Sequence, residues 1–249
     1  FEIGLFLFLI RKNIFWITLF FIIASGSAFL FLRYTPQVFE SKIILQINND
    51  NEASKILNVQ NINESQHDIS KSIELLRAKV FFNRVLYTLP LHITYFAEGT
   101  FRGNEHYKAS AYSAEVEVKS PSIYGVRIYL FFDNKEVGEI TYITAGKSKS
   151  CKFRSGVWTN TPEIDLKITP TNFSEISSQQ DAVKENRLYF VVNNIEELAN
   201  QYFARLNVIL KNGAANTIEI SFQDNNAAKT TDIVNAMAYQ FKEYDLEKQ

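Results

Sequence analysis

Cysteine, methionine, histidine, proline and glycine are all scarce: one Cys, one Met, three His, five Pro and nine Gly in 249 residues. A lone Cys151 closes no intrachain disulfide, so the folded part must hold by core burial, for which the chain is long enough. That usage is compatible with a periplasm-like compartment. His67, His92 and His106 form no HxxxH or HxxE pair, and with one cysteine no zinc ligand set has its usual spacing. His92 falls in an expected strand and reads as a structural residue. An excess of charge of one sign is missing too. The net charge is -1 and the pI about 6.4, so no general basic field recruits nucleic acid.

Catalytic signatures are equally scarce. Gly146-Lys147-Ser148 resembles the end of a phosphate-binding loop, but the first glycine of that pattern is replaced by Thr141. Its surroundings alternate like a hairpin, and a solvent-exposed turn is the expected structure. No GxSxG places a nucleophile beside a base. Glu196-Glu197 sits at a helix start, where the helix dipole accounts for both acids. Asn63 and Asn172 begin Asn-x-Ser triplets, which match a glycosylation signal only in a eukaryotic source. We therefore assign no catalytic, cofactor-binding or metal-binding residues and no cofactor, and expect no enzyme in this chain.

What is present is a long apolar run. Ile14–Leu32 carries no charge and is about as long as the roughly 20 residues a helix needs to cross bilayer hydrocarbon. Arg11 and Lys12 precede it and only Arg33 follows, a bias that favours a cytoplasmic N-terminus. Two other readings are a buried core helix and a cleaved signal peptide with Gly26-Ser27-Ala28 as cleavage site. The first is disfavoured by the lack of a polar face, the second by the apolar Phe29–Leu32 that follows. Ala24 and Ala28 have the small-xxx-small spacing that lets a second helix approach closely. Phe1–Ile10 either lies at the cytoplasmic interface or begins the same helix. The chain starts at Phe1, its only methionine is Met237, and its last helix is still running at Gln249, so it reads as part of a longer protein.

Beyond the run, Pro36 is expected to end the helix. Phe39–Ile47 reads as a strand. Asn48–Asp68 reads as a polar loop with a short helix near Ala53–Leu57. Asp68 is expected to cap one helix whose apolar face is Ile69, Ile73, Leu76, Val80, Phe81, Phe82, Val85, Leu86 and Leu89, stopped by Pro90. Leu91–Phe96 is the next strand. Short β-prone runs follow at Tyr112–Val118, Gly125–Phe132, Glu139–Ile143, Lys152–Val157 and Ile164–Ile168, a spacing that suggests a sandwich or meander. Asn172–Glu185 is polar. Arg187–Val192 reads as a strand. Asn193 or Asn194 caps a helix with the stripe Ile195, Leu198, Tyr202, Leu206 and Ile209, ended by Asn212-Gly213. Asn216–Phe222 alternates as a strand. Asp224 or Asn225 caps a last helix with Ile233, Met237, Phe241 and Tyr244 on one side. The expected fold class is α+β: an N-terminal transmembrane helix, then a periplasmic mixed sheet-and-helix domain with a β-rich insertion.

Several of these passages resemble one family. Arg33-Tyr34-Thr35-Pro36-Gln37-Val38-Phe39-Glu40-Ser41, leading from the anchor into an apolar strand, looks like the start of a Wzz/Wzc-type chain-length determinant, or polysaccharide co-polymerase. Ser72-Ile73-Glu74-Leu75-Leu76-Arg77-Ala78-Lys79 resembles that family's next helix, and Leu91–Phe96 the strand after it. Ile218–Asp224, followed by Ala227, Ala228, Ile233, Asn235 and Ala236, resembles its passage into a long helix, except that Ala227 stands where the pattern has Pro. The β-rich stretch, about residues 111–169, is longer than in simple members. It is more like the larger variants fused to bacterial tyrosine kinases.

The resemblance implies segments 1–13 in the cytoplasm or at its interface, 14–32 across the bacterial inner membrane, and 33–249 as a periplasmic Wzz-like domain cut within its last helix. It implies partners as well: further copies of the chain, membrane lipids, a polysaccharide polymerase or export machinery, and the polysaccharide, but no nucleic acid. Such a protein regulates polymer length or export through oligomerisation without catalysing bond formation. From the residues alone, an extracytoplasmic sensor domain, a secretion scaffold and an exported enzyme of unfamiliar motif stay open as alternatives.

Overall fold

The computed structural model describes residues 3–47, 62–98, 103–182 and 188–247. The chain divides into two units, Phe1–Val38 and Phe39–Gln249. The first is one helix, α1, Ile3–Tyr34. Its Arg11–Tyr34 part has a mean hydropathy of 2.2 and no burial, so it is long and apolar enough to cross a membrane. The helix already includes Ile3–Ile10, and it stops ahead of Pro36 as expected.

The second unit is mixed α+β. Strand β1, Phe39–Gln46, pairs antiparallel with β12, Thr217–Asp224, which also pairs antiparallel with β11, Leu206–Asn212. Central β12 turns Ile218, Ile220 and Phe222, all fully buried, to one side. Helices cover that side: α2, Ile62–Leu76; α3, Lys79–Tyr87; α5, Ile195–Phe203; and α6, Ala227–Leu246. Phe82, Val85, Leu86, Ile233 and Met237 complete this first core, each with no accessible surface.

The second core lies between two further sheets. One has six strands in the order β3-β2-β10-β5-β6-β7, and the other three, β4-β9-β8. Their ranges are β2 Ile93–Glu98, β3 Gly103–Glu105, β4 Tyr112–Val118, β5 Arg127–Phe132, β6 Val137–Thr144, β7 Lys147–Arg154, β8 Thr159–Asn160, β9 Ile164–Pro170 and β10 Leu188–Val192. Leu130, Ile140 and Phe190 from the large sheet meet Ala114, Leu166 and Ile168 from the small one, a sandwich with every pairing antiparallel. β2 and β10, which flank the β-rich stretch in sequence, are inner strands of the large sheet.

Several expectations need correction. The helix expected to start at Asp68 runs from Ile62, so its first residues replace the end of the expected polar loop. The short helix near Ala53–Leu57 falls outside the described residues. The single helix to Leu89 is two. Arg77 turns its guanidinium onto the Val208 carbonyl of β11, with Nε at 2.9 Å and Nη2 at 2.5 Å, and Ala78 is extended at φ -72°, ψ 125°. The helical register restarts there, which leaves Val80 81% exposed rather than on the apolar face.

Leu206–Leu210 is not the end of α5 but strand β11, because hydrogen bonding to β12 and the β-branched Val208 and Ile209 outweigh the helical repeat. Asn212 is then a hairpin residue: its Oδ1 accepts the amide protons of Ala214 at 2.9 Å and Ala215 at 3.3 Å. The Asn172–Glu185 stretch contains helix α4, Phe173–Ala182, started by Asn172 Oδ1 and tethered by the fully buried Ile176. The last helix is capped by Asn226, not by Asp224 or Asn225. The strand expected at Lys152–Val157 lies at Lys147–Arg154, in register with β6 through the two-residue turn Ala145-Gly146.

Gly138 shows how tightly the second core is built. It pairs with Phe132 on one side and Phe153 on the other, and those rings meet edge to face at 5.3 Å. A Cβ at Gly138 would stand 2.5 Å from the Phe131 carbonyl oxygen and 2.6 Å from Phe153 Cζ. The ring could move but the β5 carbonyl is held in its ladder, so Gly138→Ala is expected to destabilise the protein by about 1–3 kcal/mol. Urea unfolding followed by circular dichroism measures this; an unchanged midpoint would contradict the packing described.

Candidate functional site

The residues that drew attention as possible chemistry are dispersed. Gly146 closes the β6–β7 turn, with φ 49° at Ala145 and 74° at Gly146, the left-handed pair of a tight hairpin. Lys147 and Ser148 begin β7, so no helix N-terminus faces a phosphate. His92 is exposed, precedes β2 instead of lying in it, and stands 6.0 Å from the Tyr87 ring. Glu196 and Glu197 occupy the first turn of α5, where Asn194 Oδ1 accepts both of their amide protons. Asn63 lies in α2 and Asn172 caps α4. Among the described residues no group of three or more His, Cys, Asp or Glu is placed to hold a metal ion.

The unusual chemistry lies elsewhere, at Lys229 in the first turn of α6. Its side chain is 3% exposed. The ammonium sits 2.8 and 2.9 Å from the two Glu105 carboxylate oxygens, 2.9 Å from Asp224 Oδ1 and 3.0 Å from the Tyr202 hydroxyl. Arg205 Nη1 donates to Asp224 Oδ2 at 2.6 Å, and the Asn226 amide donates to Asp224 Oδ1 at 3.1 Å. Both cations also lie over the Tyr202 ring, each 5.2 Å from its centroid. Two cations therefore face two carboxylates, and the cluster is neutral as a whole.

Four elements meet there. Glu105 ends β3 of the six-stranded sheet, Tyr202 lies in α5, Asp224 ends β12, and Lys229 opens α6. Just beyond, Tyr107 donates to Asp232 Oδ2 at 2.9 Å, and Lys108 pairs with the same carboxylate. Lys229 is held as a cation. Burial by itself lowers its pKa, but Tyr202, Glu105 and Asp224 outweigh that, and the net shift is upward. Burial, assisted by Asp232, raises the Tyr107 pKa, so that hydroxyl stays protonated and donates. A signal for this cluster existed in the sequence: Lys229 is four residues before Ile233 and so continues the apolar stripe of α6.

The groups described bind one another rather than a ligand, and they offer no nucleophile paired with a base. The comparisons with known proteins bear on one end of the chain. Residues 2–89 match the family model Wzz, chain length determinant protein. That stretch holds the apolar helix, β1, α2 and α3, so the resemblance drawn from Arg33–Ser41 and Ser72–Lys79 is supported there. No curated protein matches. Among solved structures, Xanthomonas campestris FlgL is similar at 10% identity and a TM-score of 0.22. That alignment covers 61% of this chain and 49% of FlgL, so the chain spans about half of that protein's length, and at such a score it bears on neither fold nor function.

Replacing Lys229 by Met would leave Glu105 and Asp224 with only part of their counter-charge. The expected cost is about 3–5 kcal/mol, as for breaking one side of a buried pair. The pH dependence follows from the raised pKa. The stabilisation by the Lys229 charge is complete below the unfolded value, about 10.4, and is lost as pH rises from there toward the folded value. The stability gap between the wild type and Lys229→Met should thus stay constant from neutral pH to about pH 10 and narrow above it. A gap that widened with rising pH in denaturant titrations would refute this assignment.

Proposed function

We propose that this chain is the membrane-anchored, periplasmic part of a polysaccharide co-polymerase that regulates the length or export of a bacterial surface polysaccharide. The observation that carries the proposal is the family match over residues 2–89, which runs without a break from the apolar helix through β1 to α3. In this reading residues 14–32 cross the inner membrane, residues 1–13 stay on the cytoplasmic side, and residues 33–249 stand outside it. Arg11 and Lys12 support that orientation. The chain catalyses no bond formation. It works as a homo-oligomer beside a polymerase or export machine, and its part in length control is to present the polymer with an assembly of defined geometry. Fusion to a tyrosine kinase in a longer protein fits the same reading.

The deciding experiment is deletion of the gene in its native host, with polymer lengths read by gel electrophoresis. Loss of a clustered length distribution, restored by expressing the full-length protein, is the expected result. The purified protein in detergent should sediment as a higher-order oligomer. An unchanged length distribution together with a monomer at all concentrations would overturn the proposal. If a small ligand then raised the melting temperature, an extracytoplasmic sensor would replace it.

A further inference from the structure

The two cores of the Phe39–Gln249 unit share no buried apolar residue among those described. The first ends at Leu91 and resumes at Ile195, and the second fills the interval between them, apart from Tyr107, which belongs to the first. The chain crosses between them at two neighbouring places, before β2 and after β10. Asn193 stitches these together: its Nδ2 donates to the Leu91 carbonyl and to Thr94 Oγ1, both at 2.7 Å, and its amide donates to the His92 carbonyl at 2.8 Å. A narrow double crossing of this kind fixes one point and leaves a rotation about it. Continuous apolar packing would oppose that rotation, but apart from the Tyr107 ring the two clusters remain distinct.

A second point of attachment lies at β3. Glu105 reaches Lys229, and Tyr107 and Lys108 reach Asp232, so α6 is gripped at two positions three residues apart on one face. Ion pairs with a nearly fully desolvated lysine demand one geometry, because any displacement leaves a buried charge without a partner. An apolar contact would tolerate sliding. We propose that Glu105, Tyr107 and Lys108 with Lys229 and Asp232 form a polar latch that sets the orientation of the β-sandwich on the α+β base, with the Asn193 crossing as its pivot. When the latch is closed the two cores move as one body. When it is open each core stays folded and the sandwich swings. The latch does not depend on what polymer, if any, the protein handles.

Dipolar spin-label distances in the full-length protein in detergent, with labelled chains diluted in excess unlabelled protein so that only pairs within one chain are read, test this. Labels go on Ser150→Cys in β7 and Lys242→Cys in α6, both exposed, in a Cys151→Ser background. The wild-type latch should give a single narrow distance. Glu105→Gln, which keeps the shape of the side chain but removes its charge, should broaden and shift that distance while circular dichroism stays the same. A distance as narrow as the wild type's, in a folded Glu105→Gln protein, overturns the latch. If Glu105→Gln does not fold, Tyr107→Phe decides by the same measurement, since it removes only the hydrogen bond to Asp232. Broadening then supports the latch, and an unmoved distance overturns it.

Discussion

A buried ammonium cannot be left alone. That constraint at Lys229 governs how the parts of the Phe39–Gln249 unit meet. A desolvated lysine without partners would give up its proton or pull the structure open. Here it keeps the proton because Glu105, Asp224 and Tyr202 converge on it from three other elements. Asp224 is itself held by Arg205 and by the Asn226 amide. The end of β12, the cap of α6, the C-terminal side of α5 and the end of β3 are thus placed by a single charge balance. Such a cluster contributes little net stability compared with apolar residues of similar shape, but it is intolerant of misplacement. Its value is geometric.

Around it the architecture follows from ordinary burial. β12 is the middle strand of its sheet, and its inward residues Ile218, Ile220 and Phe222 are covered by helices. On the opposite face Glu219 lies between Lys42 and Lys211, so the central strand's lone charge there is neutralised by its neighbours. The outer edge of the sandwich is managed differently. Among the described residues β7 is an edge strand, and it carries Lys147, Lys149, Lys152 and Arg154. Charged side chains on a free edge discourage pairing with another strand.

The family match stops at residue 89, a few residues before the chain enters β2. The likeness therefore belongs to the apolar helix and to elements of the first core, while the whole sandwich lies outside it. This division mirrors the physical one between the two apolar clusters. A base that packs its own core can carry an added sandwich without repacking, provided the junction is narrow and the orientation is set by a few specific contacts. Asn193 and the Lys229 cluster meet those two requirements.

Most single elements were legible in the chain because their periods are local properties. The uncharged run before Pro36, the alternation of Ile218, Ile220 and Phe222, and the Asn194 cap with Glu196 and Glu197 each follow from neighbouring residues alone. The α+β class and the absence of recognisable catalytic spacing followed from the same local reading. Partnership was not legible. Leu206–Leu210 satisfies a helical stripe and a strand equally well, and only β12 alongside it settles the matter in favour of β11. The break at Arg77 depends on a carbonyl of that same strand, distant in sequence. Lys229 continues the apolar stripe of α6, but nothing near it in sequence shows why a charge should be buried there, because its counter-charge Glu105 is 124 residues away. Local period belongs to the covalent chain, whereas charge pairing and strand pairing depend on distances in space, and these exist only once the chain has folded.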